Sequence, residues 1–244
     1  MTELPTPCPS ALEPAMVAPP ETSPAVALSP PNLRIMLRPM ASPMPLGFYT
    51  IAIANIMVSS LQLGIIGLGE RRNVALIILP AFVLQLIVGI ACIAARDAFA
   101  ATLMTSVAGS WLADALIYLF GTPGRSVASA VFSFTFAGFV AMMATSARPK
   151  AALFAVLVTA VPRFVLSGLA AATGNEGLTR TAGVFGYLLA AVAIYTAWAL
   201  LLEDVRGHTV LPVGRTGPAR DAIEGSLAAQ LTGYEHLAGI RRTL

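Results

Sequence analysis

The sequence predicts an all-α, polytopic membrane protein with six transmembrane helices and both termini in the cytoplasm. Three observations predict it: the composition, a series of apolar stretches about 20 residues long, and the placing of basic residues between them. Of 244 residues, 57% are hydrophobic and 11% charged, far from the roughly 25% charged share of a soluble domain. The mean hydropathy of +0.78 agrees. The net charge of +3 is spread over loop and tail arginines with no block of like charge, so no nucleic-acid surface is expected. Cys8 and Cys92 form neither a metal spacing nor a disulfide framework. No cofactor and no metal is expected.

Three zones follow one another. Residues 1–44 hold eleven of the eighteen prolines among Ala, Ser, Thr and Glu, a composition that predicts a disordered cytoplasmic arm with no signal-peptide core. Residues 45–204 form the six-helix transmembrane domain. Its spans cover about 46–66, 74–95, 98–120, 127–146 and 151–173, with a sixth that ends at Glu203. Each crosses roughly 30 Å of hydrocarbon as a helix. The breaks "GLGERRN", "RD", "GTPGRS", "ARPK" and "GNEGLTR" carry the Gly, Pro and charge that end helices in water. Residues 205–244 form a cytoplasmic tail in which Ile223, Leu227, Leu231, Tyr234 and Ala238 place one apolar stripe on a helix. That stripe suits the protein's own cytoplasmic face, a neighbouring subunit or a lipid surface.

Six spans put both termini on one side. Arg34, Arg38, Arg96, Arg148, Lys150, Arg206, Arg215 and Arg220 lie on that side, against Arg71, Arg72, Arg125 and Arg180 on the other. The positive-inside rule makes the first side cytoplasmic, in a plasma or inner cell membrane.

Helices in lipid meet through small residues, and Ala101, Thr105, Gly109 and Ala113, like Ser133, Ala137 and Ala141, follow four-residue steps. These are packing seams or pore linings. Polar side chains within the spans include Asn55, Ser59, Ser60, Gln62, Gln85, Thr102, Thr105, Ser106, Ser110, Thr159, Ser167 and Tyr195. Hydroxyls and amides replace the hydration of a small anion, although each also suits a bond to helix backbone. The only histidines, His208 and His236, follow the last span, so no enzyme is expected.

Four stretches resemble the acetate uptake transporter family, typified by bacterial acetate/succinate permeases. "SPMPLGF" (Ser42 to Phe48) is similar to the family signature Asn-Pro-Ala-Pro-Leu-Gly-Leu, with Ser42 for Asn. Gln85 with Gly89, then "FAATLMTSVAGSW" (Phe99 to Trp111), resembles the family's Gln, Gly, Phe, Thr and Thr-Ser pattern ending in Trp. "AIYTA" (Ala193 to Ala197) and "GHTVLPVG" (Gly207 to Gly214) resemble its terminal block. The resemblance implies a protomer with its own pore, usually in a homo-hexamer, that moves acetate and sometimes succinate, typically with protons. On it, Pro43, Pro45, Leu46, Gly47, Gln85, Thr102, Thr105, Ser106, Trp111 and Tyr195 are expected in the substrate path, which the polar Asn55 and Ser59 of the first span join, and Ile51, Val107 and Val158 in the constriction. The "SPMPLG" turn is either the cytoplasmic exit or a helix-start signal.

The chain departs from the family at several points. Cys92 replaces a Glu, Arg96 to Phe99 replace Gly-Asn-Thr-Phe, and Val107 and Ile51 replace a Tyr and a Phe. The smaller side chains predict a wider gate that admits lactate or propionate. The missing Glu leaves a passive carboxylate channel as the alternative to proton symport, and a membrane scaffold or sensor using the two tails as the alternative to transport.

Asp114 and Arg163 are the only charges deep in the spans. At about 1.5 Å per residue they lie about 22 and 18 Å from the cytoplasmic ends of two parallel helices. A lone intramembrane Arg is costly, so an Asp114 to Arg163 ion pair is expected, facing the pore or sealed between helices.

Overall fold

The computed structural model describes residues 41–217 and Arg220. The proline-rich arm up to residue 40 and the amphipathic stripe from Ile223 to Ala238 lie outside the described residues. Within them are the six expected spans: α1 (Met44–Gln62), α2 (Arg71–Ala94), α3 (Ala98–Phe120), α4 (Val127–Ala147), α5 (Ala151–Thr173) and α6 (Glu176–Arg206). All six are long and apolar enough to cross a membrane.

Local chemistry sets their ends. Asp97, Ser126 and Asn175 are N-caps whose side chains accept from Ala100, Ser129 and Leu178 backbone N–H groups, each satisfying a donor that the first turn leaves open. Pro43 is the N-cap of α1 and Pro45 sits in its first turn, where a missing N–H costs nothing. "SPMPLG" therefore starts a helix. α1 ends at Gln62, four residues earlier than its apolar run suggests, while α6 continues three residues past Glu203.

The helices close into a ring. α1 packs against α2 and α6, α2 against α3, α4 against α5, and α5 against α6, whereas α3 and α4 meet only lightly. Close approach depends on small residues. A Cβ on Gly89 would lie 2.4 Å from Thr105 Cγ2, and one on Gly47 would lie 2.9 Å from Met104 Sδ. Gly89 with Thr105 thus forms the α2–α3 seam, and Gly47 is a packing residue between α1 and α3. Gly109 is open to the outside, so the seam expected along α3 does not extend to it. Ile53, Leu76, Ile77, Val83, Ile87, Ile90, Val131 and Val184 also face outward, the apolar surface that lipid requires.

The terminal block folds back onto α5. Gly207, left-handed at φ 71°, caps α6. The chain then runs to Val213 and Gly214, whose carbonyls accept from Ala152 and Ala151 N–H at 3.1 and 3.0 Å. These carbonyls satisfy the opening donors of α5, where Lys150 supplies no side-chain cap. Gly214 has φ 61°, and a Cβ there would lie 2.5 Å from Ala151 Cβ, so both its conformation and its packing call for glycine. Glu203 anchors the block through Arg215 and Thr209.

Candidate functional site

The ring of helices encloses a cavity of about 30 Å³, room for roughly two waters. Its wall is built from Phe48, Ile51 and Asn55 of α1, Leu103, Val107 and Trp111 of α3, Phe136 and Val140 of α4, four residues of α5 including Ala160 and Phe164, and Leu189 of α6. The spacing explains the lining. Residues 48, 51 and 55 share one face of α1, as 103, 107 and 111 do on α3. The Phe136 and Phe164 rings meet at 4.7 Å between centroids. Ile51 and Val107, expected at a constriction, both line this cavity, together with aromatic rings from α4 and α5.

Continuing along the same faces, the wall turns polar. Asn55 is followed on α1 by Ser59 and Gln62, one and two turns further on. On α5, Ala160 is followed by Arg163 and Ser167. Asn55 Nδ2 donates to the Ile51 carbonyl at 2.8 Å, while its Oδ1 is buried without a hydrogen-bond partner among the described residues. The same holds for Ser59 Oγ, Gln62 Oε1, Trp111 Nε1, Ser167 Oγ, and both Nε and Nη2 of Arg163. Buried polar groups are ordinarily paired. Unpaired polar atoms on three helices therefore mark a place where a solute or water completes them.

Other residues assigned to the path from the sequence stand elsewhere. Val158 is 45% exposed and absent from the cavity wall, which α5 lines instead through Val156, Leu157, Ala160 and Phe164. Tyr195 is 41% exposed and donates to the Pro212 carbonyl at 2.9 Å, so it ties down the terminal block. Thr102 is exposed and bonded to the Ala98 carbonyl. Thr105 donates to Ala101 O and packs on Gly89. Ser106 is half-buried and Leu46 is 41% exposed, and neither lines the cavity. Gln85 is fully buried, with Oε1 accepting from Thr50 and Nε2 facing Met104 Sδ at 2.9 Å. It is a structural link between helices. Pro43, Pro45 and Gly47 build the start of α1.

The expected ion pair is also revised. Asp114 lies within electrostatic reach of Arg163, but among the described residues the two make no direct ion pair. Depth along each helix follows from residue count, whereas rotation about the axis does not. The residues missed from the sequence are the aromatic wall of Phe48, Phe136 and Phe164, and the Glu203–Arg215 pair. Among the described residues no group of three or more His, Cys, Asp and Glu could hold a metal ion.

An all-helical, six-span bundle around a small cavity defines a polytopic membrane protein. Residues 25–215 match the model of the GPR1/FUN34/yaaH family, and the chain belongs to that family. Ammonia transport outward protein 2 of Saccharomyces cerevisiae (strain ATCC 204508 / S288c) is 30% identical over 175 residues, which cover 65% of this chain and 61% of that protein. The chain thus aligns with about three fifths of that curated relative. Its fold is similar to the bacterial acetate channel SatP, with TM-score 0.63 and 24% identity, over 72% of this chain and 99% of that one.

Proposed function

We propose that this chain moves acetate and other short carboxylates across a cell membrane through the central cavity. The observation that carries the reading is the succession of surfaces along one path. An apolar, aromatic-walled cavity includes Trp111, and further along the faces of α1 and α5 stand Ser59 Oγ, Arg163 Nε and Nη2, and Ser167 Oγ, which like Trp111 Nε1 are buried with no hydrogen-bond partner among the described residues. An apolar constriction excludes bulk water, and donors beyond it replace the hydration that an anion loses. The likeness to an acetate channel supports the same substrate class.

The cavity favours a small solute. With space for about two waters, it takes acetate only as its wall gives way, and lactate, propionate or succinate requires a larger movement of that wall, including the Phe136 and Phe164 rings. The yeast relative's name points to ammonia instead. A guanidinium beside the path disfavours ammonium, and no cluster of acids stands there among the described residues. Both termini are assigned to the cytoplasm by the positive-inside count, and a homo-hexamer by resemblance.

Reconstitution into liposomes tests the reading: labelled acetate uptake is measured against protein-free vesicles, with and without an inward proton gradient. Uptake above background that rises with the gradient and collapses with an uncoupler identifies proton symport. Uptake indifferent to the gradient identifies a channel, the form consistent with Cys92 in place of the family's Glu. Folded protein with no uptake refutes the proposal and favours a scaffold, which would lose its activity when the two tails are removed.

A further inference from the structure

An arginine inside a helix bundle is costly unless its charge and its N–H groups are matched. Arg163 is 2% exposed, yet Nε and Nη2 have no hydrogen-bond partner among the described residues. Asp114 is near enough to offset the charge without occupying those donors. The guanidinium lies over the Phe164 ring, 5.2 Å from its centroid, and Phe164 is part of the cavity wall. The arginine is not itself in the wall, and Phe164 links it to the cavity.

Gly186 of α6, having no side chain, lets Ser59 and Arg163 both pack against its backbone. A Cβ at Gly186 would fall 3.1 Å from Arg163 Nε and 2.0 Å from Ser59 Oγ. The two polar atoms are therefore within about 5 Å of each other. Ser59 is fully buried and its hydroxyl is also without a partner among the described residues. Hydrogen bonds to an oxyanion run to about 2.7 to 3.0 Å, so one acceptor oxygen reaches both atoms.

We propose that Arg163 Nε and Nη2, with Ser59 Oγ, form an anion-binding site that takes the carboxylate of a small organic acid. It lies one helical turn beyond Asn55. The planar fork of a guanidinium suits a carboxylate, which accepts two parallel N–H bonds. Asp114 offsets part of the guanidinium charge, which lets the anion leave again, as passage requires. Ser167 Oγ, one turn further along α5 and unpartnered, is the next donor on the way. The geometry calls for an oxyanion, and the choice of a carboxylate rests on the transport reading above.

The test uses the full-length protein in detergent, titrated with sodium acetate and sodium chloride while the unfolding midpoint is followed. The same variants are assayed for acetate KM in liposomes. Acetate is expected to raise the midpoint of the unsubstituted protein saturably and chloride to do so far more weakly. Charge-assisted bonds set the expected losses: R163Q raises the half-saturating acetate concentration about tenfold or more, S59A about fivefold, and R163K only a few-fold. S59A, which breaks no existing bond, carries the test if R163Q does not fold. Equal responses to chloride and acetate overturn the carboxylate assignment. Uptake with S59A and R163K at the unsubstituted KM overturns the site and leaves transport standing. Saturable acetate binding weakened by S59A, in a protein that carries no acetate, supports the site and refutes the transport reading.

Discussion

Replacing Gly89 with alanine tests whether the polar residues of α3 serve packing or passage. The added methyl would sit 2.4 Å from Thr105 Cγ2 and 3.2 Å from Thr105 N. Thr105 cannot rotate away without losing the bond from its hydroxyl to Ala101 O at 2.8 Å, so α3 itself must shift. Overpacking of this kind costs about 1–3 kcal/mol, offset by about 1 kcal/mol of helix propensity that Ala gains over Gly. G89A alone should therefore be destabilising by roughly 0–2 kcal/mol. In a Thr105→Ser background the clashing methyl is gone and the hydroxyl remains. There G89A should turn neutral or stabilising, a coupling of roughly 1–3 kcal/mol between the two positions. Reversible unfolding of the four proteins in mixed micelles measures it. Equal destabilisation by G89A in both backgrounds would refute the packing assignment, and a raised acetate KM in T105S alone would return Thr105 to the path.

Other consequences are equally direct. Glu203→Gln leaves the largely buried Arg215 without its carboxylate and should cost roughly 3 kcal/mol in thermal stability. The double change E203Q with R215Q should recover most of it. Tyr195→Phe removes one hydrogen bond to Pro212 O and should cost about 0.5–1.5 kcal/mol in the same unfolding assay, with acetate uptake unchanged. A Phe136→Ala exchange should open the cavity wall, raising lactate uptake several-fold relative to acetate in a competition assay. Each outcome separates a residue that holds the bundle from one that faces the cavity.

The spans were legible in the sequence because hydrocarbon requires unbroken apolar helices, and the breaks carry Gly, Pro and charge. The inward faces were much less so. A soluble helix advertises its buried face by polarity, but in lipid both faces are apolar. Phe136 and Phe164 therefore look like Ile53 or Val131 in a list of residues, although the first two line the cavity and the others face outward. Trp111, Ile51 and Val107 were placed through the family resemblance and Asn55 through its polarity within a span, and all four line the cavity. The same motifs carried Tyr195 and Thr105 to the path, where the structure shows a terminal block and a helix seam instead. Motif residues around a pore serve to build its wall as often as to touch what passes. The Glu203–Arg215 pair left only one sign: a carboxylate at the end of an apolar span, near a basic residue in a Gly-Pro-rich turn.

The central claim is that short carboxylates pass through the cavity, and filling the cavity tests it most directly. Ala160→Phe adds a ring to a wall that surrounds about 30 Å³, more than the space can take. Labelled acetate uptake should be measured in liposomes holding equal amounts of folded protein with Ala160 or with A160F. The account predicts at least a tenfold loss of uptake in A160F with the fold intact. Acetate carried by folded A160F at the unsubstituted rate would contradict it.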